Sequence, residues 1–197
     1  SERTNGRGVD VFAQLLRARP GKFRHLVLVE LPSSRSYMHL DTVFTFIDHG
    51  LCLAHMPVIE PGRSRSARVF YIDLTSRELT YAVRPSLLAA LADLGLNLEV
   101  VPCGGADALD QEREQWTDGA NAFAVAPGVI LLYRRNRRTM EELSRRGWRI
   151  LEAEDVIAGR VALLGEGPTV VSLLDNELSR ARGGPRCMTM PLEREAL

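Results

Sequence analysis

Residues 42–56 read TVFTFIDHGLCLAHM: two short apolar runs, the first rich in β-branched and aromatic residues, separated by a turn at Gly50. Such a pattern predicts strand, tight turn, strand. The same shape returns at residues 121–135, NAFAVAPGVILLYRR, with Pro127 and Gly128 at the turn. After each hairpin the chain changes period. RPSLLAALADLGLNLEVVPC (84–103) and TMEELSRRGWRILEAE (139–154) each give an amphipathic helix, a glycine stop and a short apolar strand. The repeating unit is therefore ββαβ, present about twice, and the expected class is α/β. Half of a further unit opens the chain in VDVFAQLLRARPGKFRHLVLVEL (9–31). There Val9, Phe12, Ala13 and Leu16 keep the i, i+3, i+4, i+7 rhythm of a half-buried helix, which Pro20-Gly21 ends.

Local signals refine these elements. Pro85 suits a first helical turn and Gly95 a C-terminal cap, while Thr139 with Glu142 three residues on reads as a capping box closed by Gly147. Two connections remain. PVIEPGRSRSARVFYIDLTSREL (57–79) is expected to carry a strand around Val69–Ile72. CGGADALDQEREQWTDGAN (103–121) is polar, glycine-rich and long, the composition of a functional loop or lid. In the tail, LLDNELSRA (173–181) reads as one or two helical turns and RCMTMPL (186–192) as a closing strand. No stretch is of low complexity and no linker interrupts the chain, so residues 1–197 are expected to lie in a single domain.

Composition removes several functions. The chain has 197 residues, of which 45% are apolar and 25% charged, as in ordinary globular proteins. Its 25 basic and 25 acidic side chains cancel, so no bulk basic field exists to hold nucleic acid. The Arg-rich run YRRNRRTMEELSRRG (133–147) is interrupted by Glu141 and Glu142 and reads as a solvated helix face. Its apolar runs are far too short to span a bilayer. SERTNGRGVD (1–10) has no apolar run of the secretory kind, and the expectation is a cytoplasmic protein. Cys52, Cys103 and Cys187 are odd in number and lack C-x-x-C spacing, against a disulfide scaffold or a cysteine zinc cluster.

Chemistry has two candidate places. In SYMHLDTVFT (36–45), His39 and Asp41 alternate with Leu40. On a strand both would project from one face, roughly 6.6 Å apart. That pair is either an acid/base with a carboxylate for a cation, or a satisfied polar edge, the plainer reading of the pair alone. In GGPRCMTMPLER (183–194), Cys187 follows two glycines that permit close approach of a ligand. Arg186 and Arg182 would favour its thiolate if they point inward, whereas a lone cysteine near a tail is otherwise inert. A third grouping, His49, Cys52 and His55 at intervals of three, resembles a metal set. On one strand Cys52 would face away from the histidines, and structural roles are favoured. His25 carries no assigned role.

Together SERT (1–4), MHLDTVFT (38–45), CGGADALDQEREQWTDGAN, APGVILLYRRN (126–136) and RGGPRCMTMPLER (182–194) resemble the arginine deiminases, guanidine-modifying enzymes built as five-bladed α/β propellers. The resemblance implies a partial propeller, about half of the full one, with each ββαβ unit a blade. It implies hydrolysis of L-arginine to L-citrulline and ammonia through a covalent thiouronium on Cys187, with His39 as acid/base and Asp41 gripping the guanidinium. It also implies that Arg3 and Arg182 receive the substrate carboxylate. No metal or organic cofactor is required, and neither nucleic acid nor membrane is a partner. Family members are about twice as long, and the upstream segments that supply a second guanidinium-binding aspartate and a histidine-orienting glutamate do not occur here. The expectation is a C-terminal portion of one catalytic domain, open to self-association or to pairing with a complementary N-terminal half. Two other readings stay open: a non-catalytic half-propeller, and a related agmatine deiminase or amidinotransferase.

Overall fold

The structure is a computed structural model describing residues 4–19, 21–174, 177–190 and 192. Its early elements are α1 (Gly6–Arg17), β1 (His25–Glu30), β2 (Phe44–Asp48), β3 (Leu51–Ala54) and the single turn α2 (Met56–Ile59). The middle supplies β4 (Arg68–Asp73), β5 (Tyr81–Arg84), α3 (Leu87–Ala92), β6 (Glu99–Pro102) and α4 (Ala108–Trp116). There follow β7 (Phe123–Ala126), β8 (Val129–Tyr133), α5 (Arg137–Arg145), β9 (Arg149–Glu152), α6 (Ala153–Ile157) and β10 (Thr169–Leu173). The result is a mixed α/β fold with three sheets, ordered β1-β4-β5, β2-β3-β6 and β7-β8-β10-β9.

The chain divides into two compact units, Ser1–Met38 with Pro57–Asn97, and His39–Met56 with Leu98–Leu197. In the first, the antiparallel β1-β4-β5 sheet carries α1 through a core of Val9, Ala13, Ile72 and Leu74, flanked by Leu16, Leu26, Leu28 and Leu79. Phe12, expected in the buried stripe, is 52% exposed. The contact is narrow and takes only the Val9–Ala13–Leu16 line. Asn5 caps α1 by accepting from the Gly8 N–H at 2.9 Å. In α3 the cap is Ser86, which accepts from the Ala89 N–H, so Pro85 stands ahead of the helix rather than in its first turn. Gly95 ends that segment in the left-handed region, and the Leu96 N–H reaches back to the Leu91 carbonyl.

In the second unit both predicted hairpins form, β2-β3 and β7-β8. The ββαβ order is realised without interruption only in β7-β8-α5-β9, since α2, β4 and β5 stand between β3 and α3, and the spatial pairing is also different. The parallel partner of β3 is β6, while α3, between them in sequence, belongs to the first unit. The parallel partner of β8 is β10, which lies between β8 and β9. Ile47, Leu53, Val101, Ala122, Ile130, Leu132, Met140, Leu143, Trp148 and Val170 make the core.

Three local expectations fail here for identifiable reasons. The polar stretch 103–121 is not one long loop or lid but has helix α4 at its centre, with turns on either side. Asp107 accepts from the Leu109 and Asp110 N–H groups and nucleates it, and Gly104 lets the chain pass so close to α4 that a Cβ would lie 2.4 Å from the Asp110 carbonyl. Thr139 does not cap α5 but sits buried inside it. The cap is the Glu114 carboxylate of α4, which accepts from the Arg138 N–H (2.7 Å), the Thr139 N–H (2.8 Å) and the Thr139 hydroxyl (2.7 Å). In the tail, Leu178–Ala181 forms a short 3-10 helix, and Arg186–Met188 form a turn rather than a closing strand. Within that turn Met188 and Thr189 donate back to Gly184 and Arg186.

Candidate functional site

His39 and Asp41 do not stand on a strand. Leu40–Thr42 is a 3-10 turn with His39 at its N-cap, and β2 begins only at Phe44. The cause is Thr42, whose N–H and hydroxyl both donate to the His39 carbonyl, at 3.1 and 2.7 Å, and curl the chain before the apolar run can extend it. The expected shared strand face is thus replaced by a turn at the mouth of the hairpin. Even so, His39 and Asp41 line one cavity with Cys187, together with Thr45, Phe46 and Arg186. The volume of this cavity is about 570 Å³.

Cys187 reaches the cavity from the turn after Gly184. Its sulfur lies 3.8 Å from Asp41 Oδ2, and the other Asp41 oxygen, Oδ1, is buried without a hydrogen-bond partner among the described residues. A buried carboxylate oxygen left empty is costly unless a donor arrives to fill it. The Cys187 thiol is pushed above its ordinary range, first by desolvation and then by the negative charges of Asp41 and Asp118. A backbone hydrogen bond at Gly184 and the Asn121 amide act in the opposite direction. Arg186 and Arg182, expected to favour the thiolate, do not reverse this balance. Arg186 lines the cavity with its guanidinium 3.4 Å from the Thr45 hydroxyl.

Arg182 is placed elsewhere. Held in the left-handed region (φ 64°), it is buried against the C-terminal end of α4. Its guanidinium donates to the Trp116 and Gln115 carbonyls and stacks 4.8 Å over the Trp116 ring. It is not among the residues that line the cavity. Arg3 lies outside the described residues. The grouping of His49, Cys52 and His55 disperses: His49 is exposed at the hairpin turn, Cys52 is in the core, and the buried His55 has Glu112 3.9 Å from its ring nitrogen. Among the described residues no cluster of three His, Cys, Asp or Glu could hold a metal ion. No helix among them is long and apolar enough to cross a membrane. His25 pairs with the Tyr71 hydroxyl at 2.7 Å.

One residue escaped the sequence reading altogether. Asn121, the first residue of the second hairpin segment, is fully buried and touches both Asp41 and Cys187. Nothing in its neighbourhood along the chain announces this, because its partners are about 66 and 80 positions away.

A thiol, a carboxylate and an imidazole around a cavity with one unfilled carboxylate oxygen define a cysteine-centred site suited to a cationic ligand. Comparison with known proteins narrows the class. Residues 1–194 match the family model described as arginine deiminase. Proteins named arginine deiminase from Bacillus cereus (strain B4264) and Listeria welshimeri are each 37% identical to the chain, and one from Listeria monocytogenes (serotype 4a) is 36% identical. The matches cover 99–100% of this chain but only 43–44% of those relatives. The chain belongs to the arginine deiminase family and spans less than half the length of these relatives.

Proposed function

We propose that this chain carries the nucleophile, the acid/base and one guanidinium-binding carboxylate of an arginine deiminase, which hydrolyses L-arginine to L-citrulline and ammonia. The observation that carries the reading is Asp41, with Oδ2 beside the Cys187 sulfur and Oδ1 buried and unfilled. A guanidinium held there would supply the missing donor and place a positive charge next to the sulfur, offsetting the carboxylates that keep the thiol protonated. The thiolate then attacks the central guanidinium carbon to give a tetrahedral adduct. Its collapse breaks a C–N bond, His39 gives the departing nitrogen its proton, and ammonia leaves a thiouronium on Cys187. His39, now neutral, takes a proton from water, whose oxygen adds to the same carbon. The adduct hydroxyl then gives its proton to solvent as the C–S bond breaks, which releases citrulline and the Cys187 thiolate. Covalent catalysis thus divides one difficult displacement into two easier ones, and neither a metal nor an organic cofactor takes part.

The same reading makes residues 1–197 the C-terminal part of one cytoplasmic catalytic domain, a partial five-bladed propeller that self-associates or joins a complementary segment. The family membership and the two hairpins that begin similar ββ…αβ runs support it. The test is release of citrulline and ammonia from L-arginine by the chain joined to the portion of the Bacillus cereus relative that it does not match. Turnover that drops by at least a thousandfold in Cys187→Ala is expected. Undiminished turnover in that variant overturns the assignment.

A second reading has one observation in its favour. Arg182, the expected partner of the substrate carboxylate, spends its guanidinium on α4 and Trp116. A guanidine substrate without an α-carboxylate, such as agmatine, needs no such partner. Faster turnover of agmatine than of arginine by the same chimaera decides for it.

A further inference from the structure

Asn121 is a saturated hub. Its Oδ1 accepts from the backbone N–H of Arg186 at 3.0 Å and of Cys187 at 3.2 Å. Its Nδ2 donates to the Asp41 carbonyl at 3.1 Å and to the Cys187 sulfur at 3.3 Å. An amide side chain has two lone pairs on oxygen and two hydrogens on nitrogen, so every capacity is used. The orientation is not arbitrary: two N–H groups face one end of the amide, and only the oxygen can meet them. The nitrogen is therefore obliged to face the sulfur. The approach is so close that a Cβ on Gly184 would lie 2.3 Å from Asn121 Oδ1, which gives the second glycine of GGPRC a physical reason.

From this arrangement we infer that Asn121 is a positioning residue, which ties the Cys187 turn to the backbone of Asp41 and gives the sulfur a hydrogen-bond donor when it becomes negative. Thiol sulfur accepts weakly, whereas hydrogen bonds to an ionised partner are roughly twice as strong as neutral ones. The donor thus favours the anion selectively, against Asp41 and Asp118, while the oxygen end serves geometry alone. The inference rests on Cys187 being the nucleophile and deepens that reading.

Asn121→Asp separates the two ends. One oxygen still accepts from the Arg186 and Cys187 amides, but the donor to sulfur is replaced by a negatively charged oxygen. The experiment is iodoacetamide alkylation of Cys187 in the purified chain across pH, read by peptide mass, with folding followed by circular dichroism. Cys52 and Cys103 are buried and do not compete. The expected result is a midpoint moved up by about one pH unit, so that labelling at pH 7.5 slows about tenfold. A folded variant with the parent midpoint overturns the inference. Should the variant fail to fold, the parent protein decides: the Asn121 side-chain amide resonance must shift with the Cys187 titration, and that shift must vanish in Cys187→Ser. A resonance that stays still while the thiol titrates is equally fatal. The deiminase reading fails separately, through absent citrulline, since the alkylation profile needs no turnover.

Discussion

Cys187 has one Asp41 oxygen 3.8 Å from its sulfur, and the charges of Asp41 and Asp118 add to desolvation in keeping its proton on. Removing the nearer charge therefore makes the free chain's thiol more reactive, although it weakens the hold on a cation. Asp41→Asn is expected to speed iodoacetamide labelling of Cys187 several-fold at pH 7.5, because a neighbouring like charge disfavours the thiolate. A rate equal to or below that of the parent contradicts this electrostatic account. At this scale the sequence was legible in its residue types. His39, Asp41 and Cys187 stand out as chemistry-bearing, and the structure brings all three to one cavity. Direction was not legible. Arg182 and Cys187 are five positions apart, yet a left-handed backbone at Arg182 and a turn after Gly184 send their side chains to different places.

The first turn of α5 is capped by one carboxylate of α4. Glu114 is buried, and its desolvation raises its proton affinity even though Thr139 and the Arg138 and Thr139 amides donate to it. Glu114→Ala leaves two buried Thr139 donors and the half-buried Arg138 N–H empty and is expected to destabilise the fold by about 2–4 kcal/mol. Glu114→Gln keeps one acceptor oxygen and should cost roughly half of that. Urea denaturation checks both, and an alanine variant as stable as the parent would refute the cap. Neither α4 nor its role could be read from CGGADALDQEREQWTDGAN, because the inward-facing residues of that helix are Glu114 and Gln115 rather than an apolar stripe. Hydrophobic periodicity is silent where burial is achieved through polar pairing. The hairpins, by contrast, announce themselves: Gly50 and Gly128 both adopt positive φ at turns between apolar runs.

Across the whole molecule, stability should depend on pH through buried thiols. Burial pushes Cys52 up to about 12, and Cys103 is raised by burial and by the nearby Glu114 charge. In the unfolded chain both ionise near 8.5. Below that pH neither state loses protons and their contribution is fully present. Above it only the unfolded state deprotonates, so stability falls as pH rises towards 12, by about 1.4 kcal/mol per pH unit for each thiol. Thermal unfolding midpoints should drop between pH 9 and 11, with a shallower slope in Cys52→Ala; identical slopes would exclude the linkage. The two hairpins, helices α1, α3 and α5, and the candidate reactive residues follow from the sequence, since periodicity, glycine placement and side-chain chemistry are local properties. Strand partnership, the insertion of β10 between β8 and β9, the Glu114 cap and the Asn121 hub do not. Each joins residues distant along the chain, and such pairings are selected by burial and hydrogen-bond satisfaction once the chain has collapsed.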